Sequence, residues 1–110
     1  MSRKALFICL QGKNRSRTAS DIFKKWTLCE TKSAGSHEDA PFPLTVDDIS
    51  WATIIFTMEK NQAKKIKKRF GEIAKNKRFI CLNIPDEFDY GDTRLIRILE
   101  GRAGPYLSFG

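Results

Sequence analysis

Apolar residues fall into short unbroken runs separated by longer stretches with helical spacing. Ala5-Leu6-Phe7-Ile8-Cys9 and Ala52-Thr53-Ile54-Ile55-Phe56-Thr57 show no regular polar alternation. Such runs predict strands buried on both faces, as in the middle of a parallel sheet. Leu28 to Ser33, with Cys29 and Thr31 on one face, and Arg78-Phe79-Ile80-Cys81-Leu82 predict two more strands. Cys29 and Cys81 are both expected in the core. Between these runs, Ser16 to Thr27 carries Ala19, Ile22, Phe23 and Trp26 at helical spacing, with Ser16 as a plausible N-cap. Thr45 followed by Asp48 starts a short helix reaching about Trp51, the pattern of a reciprocal cap. Glu59 to Phe70 predicts a helix with Ala63, Ile66 and Phe70 inward, closed near Gly71. Thr93 to about Gly101 predicts the last helix. Stretches 34–43 and 83–92 are loops, and 105–110 has no assigned element.

The resulting order, βαβαβαβα, predicts an α/β fold with a parallel sheet between two layers of helices. At 110 residues the chain is one domain, 1–110. Sheets of this kind bind ligands beyond the carboxyl ends of their strands, where the winding direction reverses. The chemistry is therefore expected in the loops that follow the strands.

Composition narrows the setting. The chain is 41% hydrophobic and 30% charged, which excludes a disordered tail. Three cysteines, an odd number, argue against a disulfide framework. With no long apolar run, a cytoplasmic protein without membrane association is expected. The net charge of +7 is local: residues 60–78 hold nine basic residues and one acid, Glu72. That block is either a solvated helix face or a surface for a polyanion. It carries no nucleic-acid motif and little aromatic interleaving, so nucleic acid is not the expected partner.

The first strand ends at Cys9, followed by Leu10-Gln11-Gly12-Lys13-Asn14-Arg15-Ser16 and a helix. A strand-to-helix turn points several backbone N–H groups into one concavity, and the helix N-terminus adds partial positive charge. A phosphate oxyanion fits such a cradle, and so does a thiolate, the nucleophilic form of Cys9. Gly12 opens backbone conformations closed to other residues. Arg15 brings a fork suited to two phosphate oxygens, and Ser16 a hydroxyl that can donate to the thiolate. A buried structural cysteine at a strand end is the competing reading of Cys9.

Cys9 to Ser16 reads cysteine, five residues, arginine, serine. On this loop, on Ser33-Ala34-Gly35, on Ala52 to Lys60 and on Asp86-Glu87-Phe88-Asp89-Tyr90-Gly91, the chain resembles the low-molecular-weight protein tyrosine phosphatases. The four matches keep their order across nearly the whole chain. There are departures: the chain is shorter than the usual member, and the acidic loop lacks the proline after its aspartate. Asn14 stands where many relatives carry a second loop cysteine, and Gly12 where relatives carry a loop asparagine.

The resemblance implies a three-layer fold of phosphotyrosine phosphatase I type, with strand order 2-1-3-4. It implies a phosphate-monoester hydrolase, a protein tyrosine phosphatase, working through a phosphocysteine. Cys9 would be the nucleophile, Arg15 the oxyanion clamp and Asp86 the general acid, with Asp89 the second choice. The residues Leu10, Gln11, Gly12, Lys13, Asn14 and Ser16 would cradle the phosphate of a phosphoprotein or small aryl phosphate. No metal or cofactor is implied. The alternative is a weak or inactive relative acting as a phospho-ligand or polyanion binding module. A thioredoxin-linked arsenate reductase would need further cysteines near Cys81, and 83–92 supplies none.

Overall fold

The computed structural model describes residues 3–26 and 29–107. In chain order its elements are β1 (Arg3–Cys9), α1 (Arg15–Phe23), β2 (Cys29–Gly35), α2 (Val46–Trp51), β3 (Ile54–Thr57), α3 (Gln62–Phe70), α4 (Glu72–Lys75), β4 (Arg78–Cys81) and α5 (Thr93–Leu107). The four strands pair in parallel in the order β2-β1-β3-β4, as expected. Winding reverses at β1, between its neighbours β2 and β3, so the loops after β1 and β3 lie side by side.

Side chains of β1 alternate between two cores, the period-two rule of a strand. Ala5, Phe7 and Cys9 join α1 and α5 through Ala19, Phe23, Leu95, Leu99 and Ala103. Leu6 and Ile8 join α2, α3 and α4 through Ile49, Ile66 and Ala74. Both faces of β1 are thus covered, which is why its sequence shows no polar alternation. The Phe7 ring stacks on Phe23 and Phe56, with centroids 5.6 and 5.0 Å apart. Among the described residues no helix is long and apolar enough to cross a membrane.

Several local expectations need correction. Ser16 does not cap α1; Asn14 holds that position without a side-chain cap, and Ser16 lies inside the first turn. The hydroxyl of Ser16 is thereby free to turn toward Cys9. Strand β2 runs on through Ala34 and Gly35, because the chain pairs along the whole of β1. Cys81 is exposed, not core: β4 is an edge strand, and only Cys29 of the two is buried. The last helix continues through Pro105 to Leu107. Leu99, Ala103 and Leu107 anchor its apolar stripe across that proline. The single turn α4 had no periodic signal, being only four residues long. Thr27 and Leu28, placed above in the first helix and second strand, lie outside the described residues, as do residues 108–110.

Candidate active site

Beyond the end of β1 the backbone folds back over Cys9. The N–H of Gly12 donates to Cys9 Sγ at 3.1 Å. Ser16 Oγ lies 3.1 Å from the same sulfur, with either atom able to donate. Gly12 has φ +75°, a conformation open to glycine and strained for other residues. The neighbouring turn pins the loop from below. Ser36 N–H donates to the carbonyl of Cys9 at 2.8 Å, and His37 N–H to that of Leu10 at 3.0 Å. These bonds extend the β1–β2 pairing past the strand ends, so the loop hangs from the sheet rather than from solvent.

Arg15 opens α1 and is 1% exposed. Its Nη1 donates to the carbonyl of Ile84 at 2.6 Å, and its Nη2 to Glu59 Oε2 at 2.8 Å. Ile84 is held there because Leu82 N–H and Ile84 N–H donate to Thr57 and Met58 carbonyls at 2.8 Å each. Those bonds prolong the β3–β4 ladder by one step. From the other side Arg102, on α5, donates to the carbonyls of Leu82 and Asn83 at 2.8 and 2.7 Å. Arg15 Nε is buried without a hydrogen-bond partner among the described residues, and Asp86 Oδ1 stands 3.7 Å from it. A buried guanidinium N–H left without a hydrogen bond is costly.

The residues expected at the site divide in two. Cys9, Gly12 and Ser16 meet at the sulfur, and Arg15 and Asp86 meet across 3.7 Å beside Glu59. Gln11 instead points its amide at His37 Nδ1, 3.4 Å away. Lys13 lines a shallow surface hollow with Arg17 and Tyr90. Asn14 contributes its carbonyl to the first turn of α1, accepting from Thr18 N–H at 2.9 Å. In the acidic loop Phe88 is buried in the core with α5, while Tyr90 is half exposed. The Tyr90 hydroxyl donates to Asp21, and the carboxylate raises the phenol above its ordinary pKa. Asp92 leads into α5, accepting from Arg94 N–H at 2.8 Å. The adjoining Arg94 guanidinium, above all, holds its carboxyl below the usual range.

Two residues were missed. Glu59 grips Arg15, and Gln62, 5% exposed, fixes Glu59. The Gln62 Oε1 accepts from Met58 N–H and Glu59 N–H at 2.8 Å each, and its Nε2 donates to Ser36 Oγ at 3.2 Å. The signal for Glu59 was present: an acid just past the carboxyl end of the strand beside β1, where this fold places ligands. Gln62 gave none, since a polar residue at a helix start is ordinary.

No family model matches the chain, and no curated protein matches it. Solved structures do. Wzb of Vibrio vulnificus, solved with benzylphosphonate, aligns over 97% of this chain and 98% of its own, with TM-score 0.77 and 16% identity. SP-PTP of Streptococcus pyogenes, a low molecular weight protein tyrosine phosphatase, aligns over 96% and 91%, with TM-score 0.74 and 14% identity. The YwlE arginine phosphatase of Geobacillus stearothermophilus aligns over 96% and 86%, with TM-score 0.63 and 24% identity. The chain has the fold of the low molecular weight protein tyrosine phosphatases.

Proposed function

We propose that the protein is a cysteine-dependent phosphate-monoester hydrolase acting on phosphotyrosine. The observation that carries this reading is the combination, on one short segment, of Cys9 Sγ within 3.1 Å of both Gly12 N and Ser16 Oγ and a buried Arg15 whose Nε has no hydrogen-bond partner among the described residues. A buried structural cysteine needs neither neighbour. Solved proteins of this fold include tyrosine phosphatases, and one structure holds benzylphosphonate, which supports the same reading.

In the first step the Cys9 thiolate attacks phosphorus in line. An S–P bond forms, the P–O bond to the aryl group breaks, and the Asp86 carboxyl gives its proton to the departing oxygen. Amides of the Cys9–Arg15 loop and the Arg15 fork stabilise the equatorial oxygens as charge spreads over them. In the second step the Asp86 carboxylate takes a proton from water, whose oxygen attacks phosphorus. The S–P bond breaks, releasing inorganic phosphate and the thiolate, which the Ser16 hydroxyl stabilises. Asp86 suits this role: it follows β4, stands 3.7 Å from Arg15 Nε and is 57% exposed, open to both leaving group and water.

The test is hydrolysis of p-nitrophenyl phosphate with acid quench and mass spectrometry. Turnover blocked by vanadate, absent in Cys9→Ser, with phosphate trapped on Cys9, is expected. Phosphate binding without turnover would instead support the alternative, an inactive phospho-ligand binder.

A further inference from the structure

The nine basic residues of 60–78 split cleanly. Five are used by the fold. Lys77 Nζ donates to the carbonyls of Ser50 and Ala52 at the end of α2, at 3.1 and 2.7 Å. Lys75 pairs with Glu72, and Arg69 donates to the carbonyl of Ser36 at 3.2 Å. Lys67 and Arg78 sit over the rings of Phe79 and Tyr106. The remaining four, Lys60, Lys64, Lys65 and Lys68, are exposed and have no acidic partner among the described residues.

Helix stability does not account for those four. Helix α3 contains no acid, and Lys64 and Lys65 lie in its first turn, where the macrodipole disfavours cations. Lys64–Lys68 is a like-charge pair at a spacing of four residues within the helix, also unfavourable, and Lys60 stands just before its N-terminus. All four line two adjoining concavities. One, of about 150 Å³, has Leu10 of the Cys9 loop and Glu59 in its wall beside Lys60 and Lys65. The other is lined by Asn61, Lys64, Lys65 and Lys68. Lys65 belongs to both, so an unneutralised cationic track starts at the catalytic loop and runs along α3.

We propose that this track docks an acidic segment flanking the phosphorylated residue of a protein substrate. This rests on the phosphatase reading above. The track begins on the walls of the catalytic loop, so the anion it fits is one carried by the same molecule as the phosphate. A nucleic acid is disfavoured because no Phe, Tyr or Trp lines either concavity, so the track offers no ring for base stacking.

Two peptides with the same phosphotyrosine, one with four flanking acids and one with four flanking glutamines, would be titrated into the Cys9→Ser protein by fluorescence anisotropy. The acidic peptide is expected to bind about tenfold tighter at low salt, the sum of several exposed ion pairs. The preference should vanish in Lys64→Ala/Lys65→Ala/Lys68→Ala and shrink in high salt. Equal affinity for the two peptides, or a preference that survives the triple substitution, overturns the proposal. So does tighter binding of a single-stranded oligonucleotide of matched charge. Both peptides share one phosphotyrosine, so a fault at Cys9 cancels in the ratio. Wild-type hydrolysis of p-nitrophenyl phosphate, which has no flank, reads the catalytic proposal separately.

Discussion

Gly12 and Gly35 pack backbone against backbone. A Cβ on Gly12 would lie 2.8 Å from Gly35 N and 2.9 Å from the Ala34 carbonyl carbon. A Cβ on Gly35 would lie 2.7 Å from the carbonyl carbon of Gln11 and 2.5 Å from Ala40 Cβ. The loop around Cys9 and the end of β2 are therefore shaped by each other. This contact lets Gly12 N–H reach the sulfur while the loop stays tied to the sheet. It also gives Gly35 of the Ser-Ala-Gly segment a physical reason, a close backbone approach rather than a turn.

Gly12→Ala is expected to cost more than about 1 kcal/mol of stability, because it adds both a strained φ and a backbone clash. Turnover of p-nitrophenyl phosphate should fall further than the folded fraction does, since the Gly12 amide would leave Cys9 Sγ. Chemical denaturation and kcat on the same samples separate the two effects. Wild-type turnover in a stably folded Gly12→Ala would show that this amide contributes nothing to the reaction.

Glu59 Oε2 holds Arg15 Nη2 at 2.8 Å, so an anion bound at Arg15, as proposed, would have to compete with it. Glu59→Gln keeps the shape and an acceptor but removes the charge opposite a buried guanidinium. The free protein should lose about 1–3 kcal/mol, while saturating phosphate or vanadate should raise its Tm by more than it raises wild type. Thermal melts with and without the oxyanion read both changes. A smaller oxyanion-induced rise in the variant would mean that Glu59 helps phosphate to bind rather than standing in its place.

The central strands β1 and β3 and most of the helices could be read from the residues because burial on both sheet faces writes itself as apolar runs, and helix faces as a period near four. The Thr45–Asp48 reciprocal cap was readable for the same local reason and is present as expected. Errors arose where tertiary context decides. Cys81 looks apolar in a strand, but edge position exposes it. Pro105 looks like a stop, yet packing of Ala103 and Leu107 carries α5 past it. At the site, Cys9, Gly12, Arg15 and Ser16 share one short segment, so their meeting could be foreseen from spacing. Glu59 was signalled only by its place just past the end of β3, while Ile84 and Gln62 reach the site through tertiary arrangement that no local pattern encodes.

Asp92 couples the acidic loop to α5. Its carboxyl is lowered chiefly by the Arg94 side chain, with help from the Arg94 N–H. A lowered folded-state pKa means its contribution is complete above the ordinary carboxylate value near ~4 and is lost as pH falls through the lowered value. The Tm difference between wild type and Asp92→Ala should thus be constant from pH 5 to 8 and narrow below about pH 4. A difference independent of pH down to 2 would assign the effect to shape alone, not to the charged cap.

Three aspartates follow β4, and their surroundings separate them. Asp92 is committed to α5 through Arg94. Asp89 is exposed, and its carbonyl accepts from Asp92 N–H at 3.1 Å within the turn. Asp86 alone of the three forms an ion pair with Arg15. Asp86→Asn should therefore lower kcat about a hundredfold or more, the usual range for losing a general acid, with vanadate affinity little changed. The deficit should grow with the basicity of the leaving group: larger on phenyl phosphate, whose phenolate needs a proton, than on p-nitrophenyl phosphate. Asp89→Asn should show no such dependence. The opposite pattern, with Asp89→Asn carrying the leaving-group effect, would move the acid three residues along the loop and require the segment 86–91 to rearrange when substrate binds.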